Sequence, residues 1–139
     1  MPKVIKGRTV SEGYGEGEAL VTDQPFGFNH AVDFETGRIK ELGHALEGET
    51  MKGKVFVFPR AKGSTGGSCY VFQLAKSAGS PAAIVNLSTE TIVAVGAMLG
   101  GIPAIDRLEE DPFENIETGD YVKVHATEGY IEVFKKGES

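Results

Sequence analysis

The chain is poor in the residues on which several kinds of chemistry depend. A single cysteine, Cys69, in 139 residues excludes an internal disulfide and any iron–sulfur or thiolate metal site built by this chain alone. The three histidines, His30, His44 and His125, stand apart, with no H-x-x-x-H or H-E-x-x-H spacing, so metal ligation is not expected. No apolar run approaches the roughly 18 residues that span a bilayer, and the opening MPKVIKGRTV lacks a signal-peptide core, so a cytoplasmic location is expected. Basic charge is short as well. Fourteen Lys and Arg stand against twenty Asp and Glu, giving a formal charge of -6 and a pI near 5.1. An acidic domain repels polyanions, which argues against a nucleic-acid backbone or an anionic membrane as partner.

The length suits one domain, residues 1–139, with a real core. Nineteen glycines and six prolines are spread along the chain, where they punctuate short elements rather than mark a linker. Strands are expected at residues 4–10 and 18–22, with the GYGEGE segment at 13–18 as the turn region between them. DFETGR at 33–38 reads as a turn. From 54 to 106 the order is strand (54–58), helix (68–77), strand (82–86), helix (90–99, capped by Ser88 or Thr89), strand (102–106), which predicts right-handed crossovers and a small parallel sheet. Alternation at 119–124 and 130–134 predicts a terminal antiparallel hairpin with its turn at 127–129. The expected class is α/β, a small central parallel sheet flanked by antiparallel strands.

Residues 59–68, PRAKGSTGGS, concentrate two cations, hydroxyls and glycines between a buried strand and a helix. Such a loop presents free backbone N–H groups that favour anions, with Ser64 in the middle of them. On residue chemistry alone Ser64 is a helix cap, part of an anion cradle or a catalytic serine. The P-loop form is excluded because no Gly-Lys-Ser/Thr follows the glycines, and the Gly-x-Ser-x-Gly elbow is absent. His44, in GHALEGE, either lines a cleft or serves the structure. His125 reads as a half-buried hairpin residue, Cys69 as a small buried residue, and the acidic run 108–117 as a solvated connection.

GSTGGSCYVFQLAKSAGSPAAIV, GGIPAID and TGDYVKVHATEGYIEV together resemble the swivelling phosphohistidine domain of phosphoenolpyruvate-utilising enzymes. Cys69 stands at the position of the phosphorylated histidine, so the resemblance implies the swivelling β/β/α architecture and counts against phosphoryl transfer. A resemblance that covers most of the chain rests on GEGEALVTDQPFGFNHAVDFETGRI, GHALEGETMKGKVFVFPRAKGSTGGS and SPAAIV. These segments are similar to the small, swivel-domain subunit of the aconitase X family. The resemblance implies a heterodimeric hydro-lyase, inactive without a large aconitase-like subunit that carries a [4Fe-4S] cluster. In archaea such enzymes dehydrate phosphomevalonate; other members act on hydroxyproline. By position in the motif it implies Ser64 as proton acceptor. A serine base needs its oxyanion stabilised, and Gly63, Thr65, Gly66 and Gly67 can supply N–H groups while Arg60 and Lys62 supply positive charge or hold the substrate. A non-catalytic swivelling module that binds an anion or a partner loop is the competing reading.

Overall fold

The computed structural model of the chain describes residues 2–28, 31–61 and 67–137, leaving aside the side chains of 67–69. Short strands dominate. The elements are β1 (Lys3–Lys6), β2 (Arg8–Ser11), β3 (Tyr14–Val21), β4 (Val55–Val57), α1 (Gly67–Ala75), β5 (Ala83–Val85), α2 (Thr91–Gly100), β6 (Ala104–Asp106), α3 (Pro112–Asn115), β7 (Tyr121–His125) and β8 (Tyr130–Phe134). All eight strands join one sheet in the order β1-β8-β7-β3-β4-β5-β6-β2. The run β3-β4-β5-β6 is parallel, and the remaining pairings are antiparallel.

β1 and β2 occupy opposite edges of this sheet although only Gly7 separates them, so the two edges meet and the sheet nearly closes on itself. Gly7 donates to the carbonyl of Gly129 (2.8 Å), and a methyl group on it would lie 2.7 Å from Leu108 and 2.8 Å from the carbonyl oxygen of Asp106. Thr9 on β2 donates its hydroxyl to the Ala126 carbonyl on the far side of the seam.

The parallel strands read as continuous apolar runs because both of their faces are covered. Val55 and Val57 join Ile5, Val85, Ile105, Val122, Val124 and Ile131 in one core inside the curl of the sheet. Phe56 and Ile84 point the other way, into a second core with Leu74, Val93 and Ala97 from the helices and Phe26, Phe28 and Leu46 from the segment before β4. α1 and α2 lie side by side: a methyl group on Gly100 would run into Ala75.

Four expectations require correction. The single strand expected at 4–10 is two strands, β1 and β2, broken at Gly7 and paired at opposite edges of the sheet. The GYGEGE segment at 13–18 is strand from Tyr14 onward, not a turn. Gly15 and Gly17 are there for close approach: a side chain at either would run into the carbonyl oxygen of Ala82 or of Gly53. The helix at 91–100 is not capped by Ser88 or Thr89; Glu90 is its N-cap, with no side-chain cap bond. The acidic connection contains a helical turn, α3, capped by the Asp111 carboxylate, which accepts from the Phe113 N–H at 2.8 Å. The DFETGR turn and the terminal hairpin form where expected, with Asp33 accepting from the N–H groups of Glu35 and Thr36.

Candidate functional site

In an open α/β sheet the crevice for ligands lies beyond the carboxyl ends of the parallel strands. Three chain segments leave β4, β5 and β6 at that edge, and hydrogen bonds stitch them into a row. The Pro59 carbonyl accepts from the Leu87 N–H (3.0 Å) and the Leu87 carbonyl from the Arg107 N–H (3.1 Å). On the other side of β4 the segment after β3 runs alongside, with Phe26 N–H donating to the Arg60 carbonyl (3.1 Å) and Phe26 bridging to Ala61.

A buried polar network fixes the same edge. Asn86, fully buried, donates from Nδ2 to the Phe58 carbonyl at 2.9 Å and accepts from the Thr89 hydroxyl at 3.0 Å. Asp106, also buried, accepts from Arg8 Nε (2.9 Å), Arg8 Nη2 (2.8 Å) and the Thr89 N–H (2.7 Å). The fork geometry satisfies both carboxylate oxygens, and hydrogen bonding followed by the charge of Asp106 raises the already high pKa of Arg8. Thr89 is therefore engaged in holding β5 to β6, which is why it does not cap α2.

Arg107, next to Asp106, has φ +50°, the one residue other than glycine in the left-handed region among those described. For an L-residue that conformation costs about 1–2 kcal/mol. Its turn leads the chain into the N–H of Glu109, which donates to the Lys6 carbonyl beside the Gly7 seam (2.8 Å).

Of the residues expected to form the site, Arg60 is exposed at the end of β4, and Gly67 opens α1. Lys62, Gly63, Ser64, Thr65 and Gly66 lie outside the described residues, as does His30. Arg60 and Gly67 thus flank the segment that carries Ser64. His44 is in the second core, 7% exposed, edge-on to Phe26 with ring centroids 5.6 Å apart. Its Nδ1 accepts from the Leu46 N–H (3.0 Å), which puts the proton of the neutral ring on Nε2. That buried Nε2 has no partner among the described residues. The His44 ring also borders a depression with Gln24, Pro25, Glu41, Leu42 and Gly43. His125 is half-buried on the hairpin, paired with Glu132 at 2.7 Å and stacked on Tyr130.

The sequence reading missed Asn86, Asp106, Arg8 and Arg107, and took Thr89 for a helix cap rather than a member of this network. Their chemistry depends on partners far apart in the chain; the available signal was polar residues closing each apolar strand, as in IVN and AID.

Residues 4–133 match the family model described as the aconitase X swivel domain. The chain is 51% identical over 138 residues to the phosphomevalonate dehydratase small subunit of Methanosarcina mazei, covering 99% of this chain and 96% of that protein. With the protein of the same name from Archaeoglobus fulgidus the identity is 44% over 128 residues, covering 92% and 96%. Among solved structures, the crystal structure of holo aconitase X from Thermococcus kodakaraensis superimposes with a TM-score of 0.88 at 38% identity, covering 96% of this chain and 99% of that one. The solution NMR structure of a UPF0107 protein gives a TM-score of 0.86 at 42% identity, covering 96% and 100%.

Proposed function

Since the chain belongs to the aconitase X swivel-domain family, we propose that it is the small subunit of a heterodimeric hydro-lyase that dehydrates (R)-5-phosphomevalonate to trans-anhydromevalonate 5-phosphate. The observation that carries this reading is end-to-end identity of 51% with a relative named phosphomevalonate dehydratase small subunit. The product places the enzyme in the mevalonate route to isoprenoids.

A [4Fe-4S] cluster does not fit this chain. Cluster ligation takes three or four thiolates or their equivalents, and Cys69 is the single cysteine. No group of His, Cys, Asp and Glu suited to a metal ion occurs among the described residues. The iron–sulfur centre is accordingly assigned to the large subunit, and the work of this chain is to bind, orient and accept a proton.

Ser64 is the proposed proton acceptor. A free serine hydroxyl is far too weak an acid to be ionised at neutral pH, so its oxyanion needs fixed donors and positive charge. The carboxyl edge suits that requirement. The β4 exit is held by Pro59 and Phe58, whose carbonyls are bonded to Leu87 and Asn86. The cation of Arg8 is consumed by Asp106, which leaves Arg60 at the mouth of the loop. Lys62 and the N–H groups of Gly63, Thr65, Gly66 and Gly67 complete the proposed anion-binding set.

The test is reconstitution with the large subunit under anoxic conditions. The wild-type pair is expected to dehydrate 5-phosphomevalonate and the small chain alone to be inactive. Ser64→Ala should lower kcat by about 10²- to 10⁴-fold, the contribution of a positioned base, with assembly unchanged by gel filtration. Full activity of the Ser64→Ala pair would remove Ser64 from that role.

A further inference from the structure

Building on the dehydratase reading, we propose that Arg107 is a substrate-binding residue that, with Arg60, holds the phosphate group of the substrate across the end of β5. Strain, charge and placement converge on it.

The left-handed turn at Arg107 directs its N–H to the Leu87 carbonyl and starts the path to the Gly7 seam. Glycine would make that turn without the penalty. The chain instead holds a long cation at a strained position at the carboxyl edge. Strained residues that persist where the surroundings over-determine them point to a functional demand. The over-determination is visible: Asp106 on one side is fixed by three donors, and Arg107 itself by Leu87.

The side chain is available. Arg107 is exposed, and although an acidic run follows it, it forms no ion pair among the described residues. Arg60 is likewise exposed and unpaired among them. Arg8, the third arginine at this edge, is neutralised by a buried carboxylate. Among the described residues the edge therefore carries two guanidinium groups without an ion-pair partner, in a chain of formal charge -6.

Their spacing suits one ligand. Pro59, Leu87 and Arg107 lie side by side through the two backbone hydrogen bonds at 3.0 and 3.1 Å. Arg60 and Arg107 thus stand two strand spacings apart, about 10 Å between backbones, a span that two arginine side chains close from either side. Leu87 lies between them, 41% exposed, as an apolar floor. Two guanidinium groups reaching in from strand ends on either side of an exposed apolar residue would match a phosphate dianion, which accepts bidentate bonds from both.

The test uses the reconstituted heterodimer with Arg107→Asn and Arg107→Lys. Asparagine tolerates the left-handed conformation, so the fold should survive with an unchanged or higher Tm. Loss of one charge-assisted contact is expected to raise KM for 5-phosphomevalonate, and Ki for inorganic phosphate as a competitor, by about 10- to 100-fold, with kcat changed far less. Lysine should recover part of the loss. The loss on unphosphorylated mevalonate should be much smaller than the loss on 5-phosphomevalonate. A KM within twofold of wild type in the folded Asn variant would overturn the proposal. Equal losses on phosphorylated and unphosphorylated substrate would also overturn it, since the arginine would then serve the carboxylate. An inactive wild-type pair would instead overturn the dehydratase reading, and this inference with it.

Discussion

At the scale of the residue, the fold leans on places where backbone meets backbone. Gly15 on β3 faces the carbonyl of Ala82 with no room for a methyl group, and neither partner is a flexible side chain that can swing away. Gly15→Ala is therefore expected to cost about 3 kcal/mol, the upper part of the usual overpacking range, read as a lower urea midpoint with an unchanged slope. An exposed glycine with open space around it, Gly43, carries φ +80° but no such crowding. Close approach of this kind was invisible in the sequence. Local glycine density in GYGEGE signals a turn, and the carbonyls that make those glycines necessary belong to residues dozens of positions away. The same holds for the Arg8–Asp106 pair, separated by 98 positions. Ser64 was proposed on a different ground: its motif is contiguous, so the family resemblance could single it out without any long-range geometry, and it lies outside the described residues.

At the scale of the element, the stretch from 54 to 106 was legible because three apolar runs alternate with helical spacing and with Gly79 and Pro81 as stops. The hairpin of β7 and β8 was legible through period-two alternation. What local pattern did not disclose is how the hairpin is anchored. Asp120, fully buried before β7, accepts from the Lys135 ammonium (2.6 Å) and from the N–H groups of Glu117 (2.8 Å) and Lys136 (2.9 Å). Burial pushes its pKa upward, but the Lys135 bond and the two N–H groups outweigh that, and the carboxyl titrates below the ordinary aspartate value. A group with a depressed folded pKa contributes stability above its unfolded value of about 3.9 and loses it as pH falls through the folded value. Wild type should therefore exceed Asp120→Asn in stability at pH 7. The gap is expected to hold down to about pH 5 and to narrow steadily below pH 4. Urea midpoints across that range check it, and a gap independent of pH would mean that the charge of Asp120 contributes nothing.

At the scale of the whole molecule, two cores share one sheet: one inside its curl and one beneath the helices. Cooperative unfolding of both is expected, because β4, β5 and β6 present alternate residues to each. Removal of residues 130–139 should thus abolish not only the hairpin but also the helical circular-dichroism signal of α1 and α2. A helical signal retained in that truncated chain would show that the helical side folds separately. The seam at Gly7 adds a matter of timing. β1 pairs with β8, Lys3 lying opposite Val133, so β1 finds its mate only once a strand 130 positions further along the chain has been made. Throughout synthesis β1 carries an unpaired edge, guarded by Lys3 and Lys6, whose charges discourage pairing with another nascent chain.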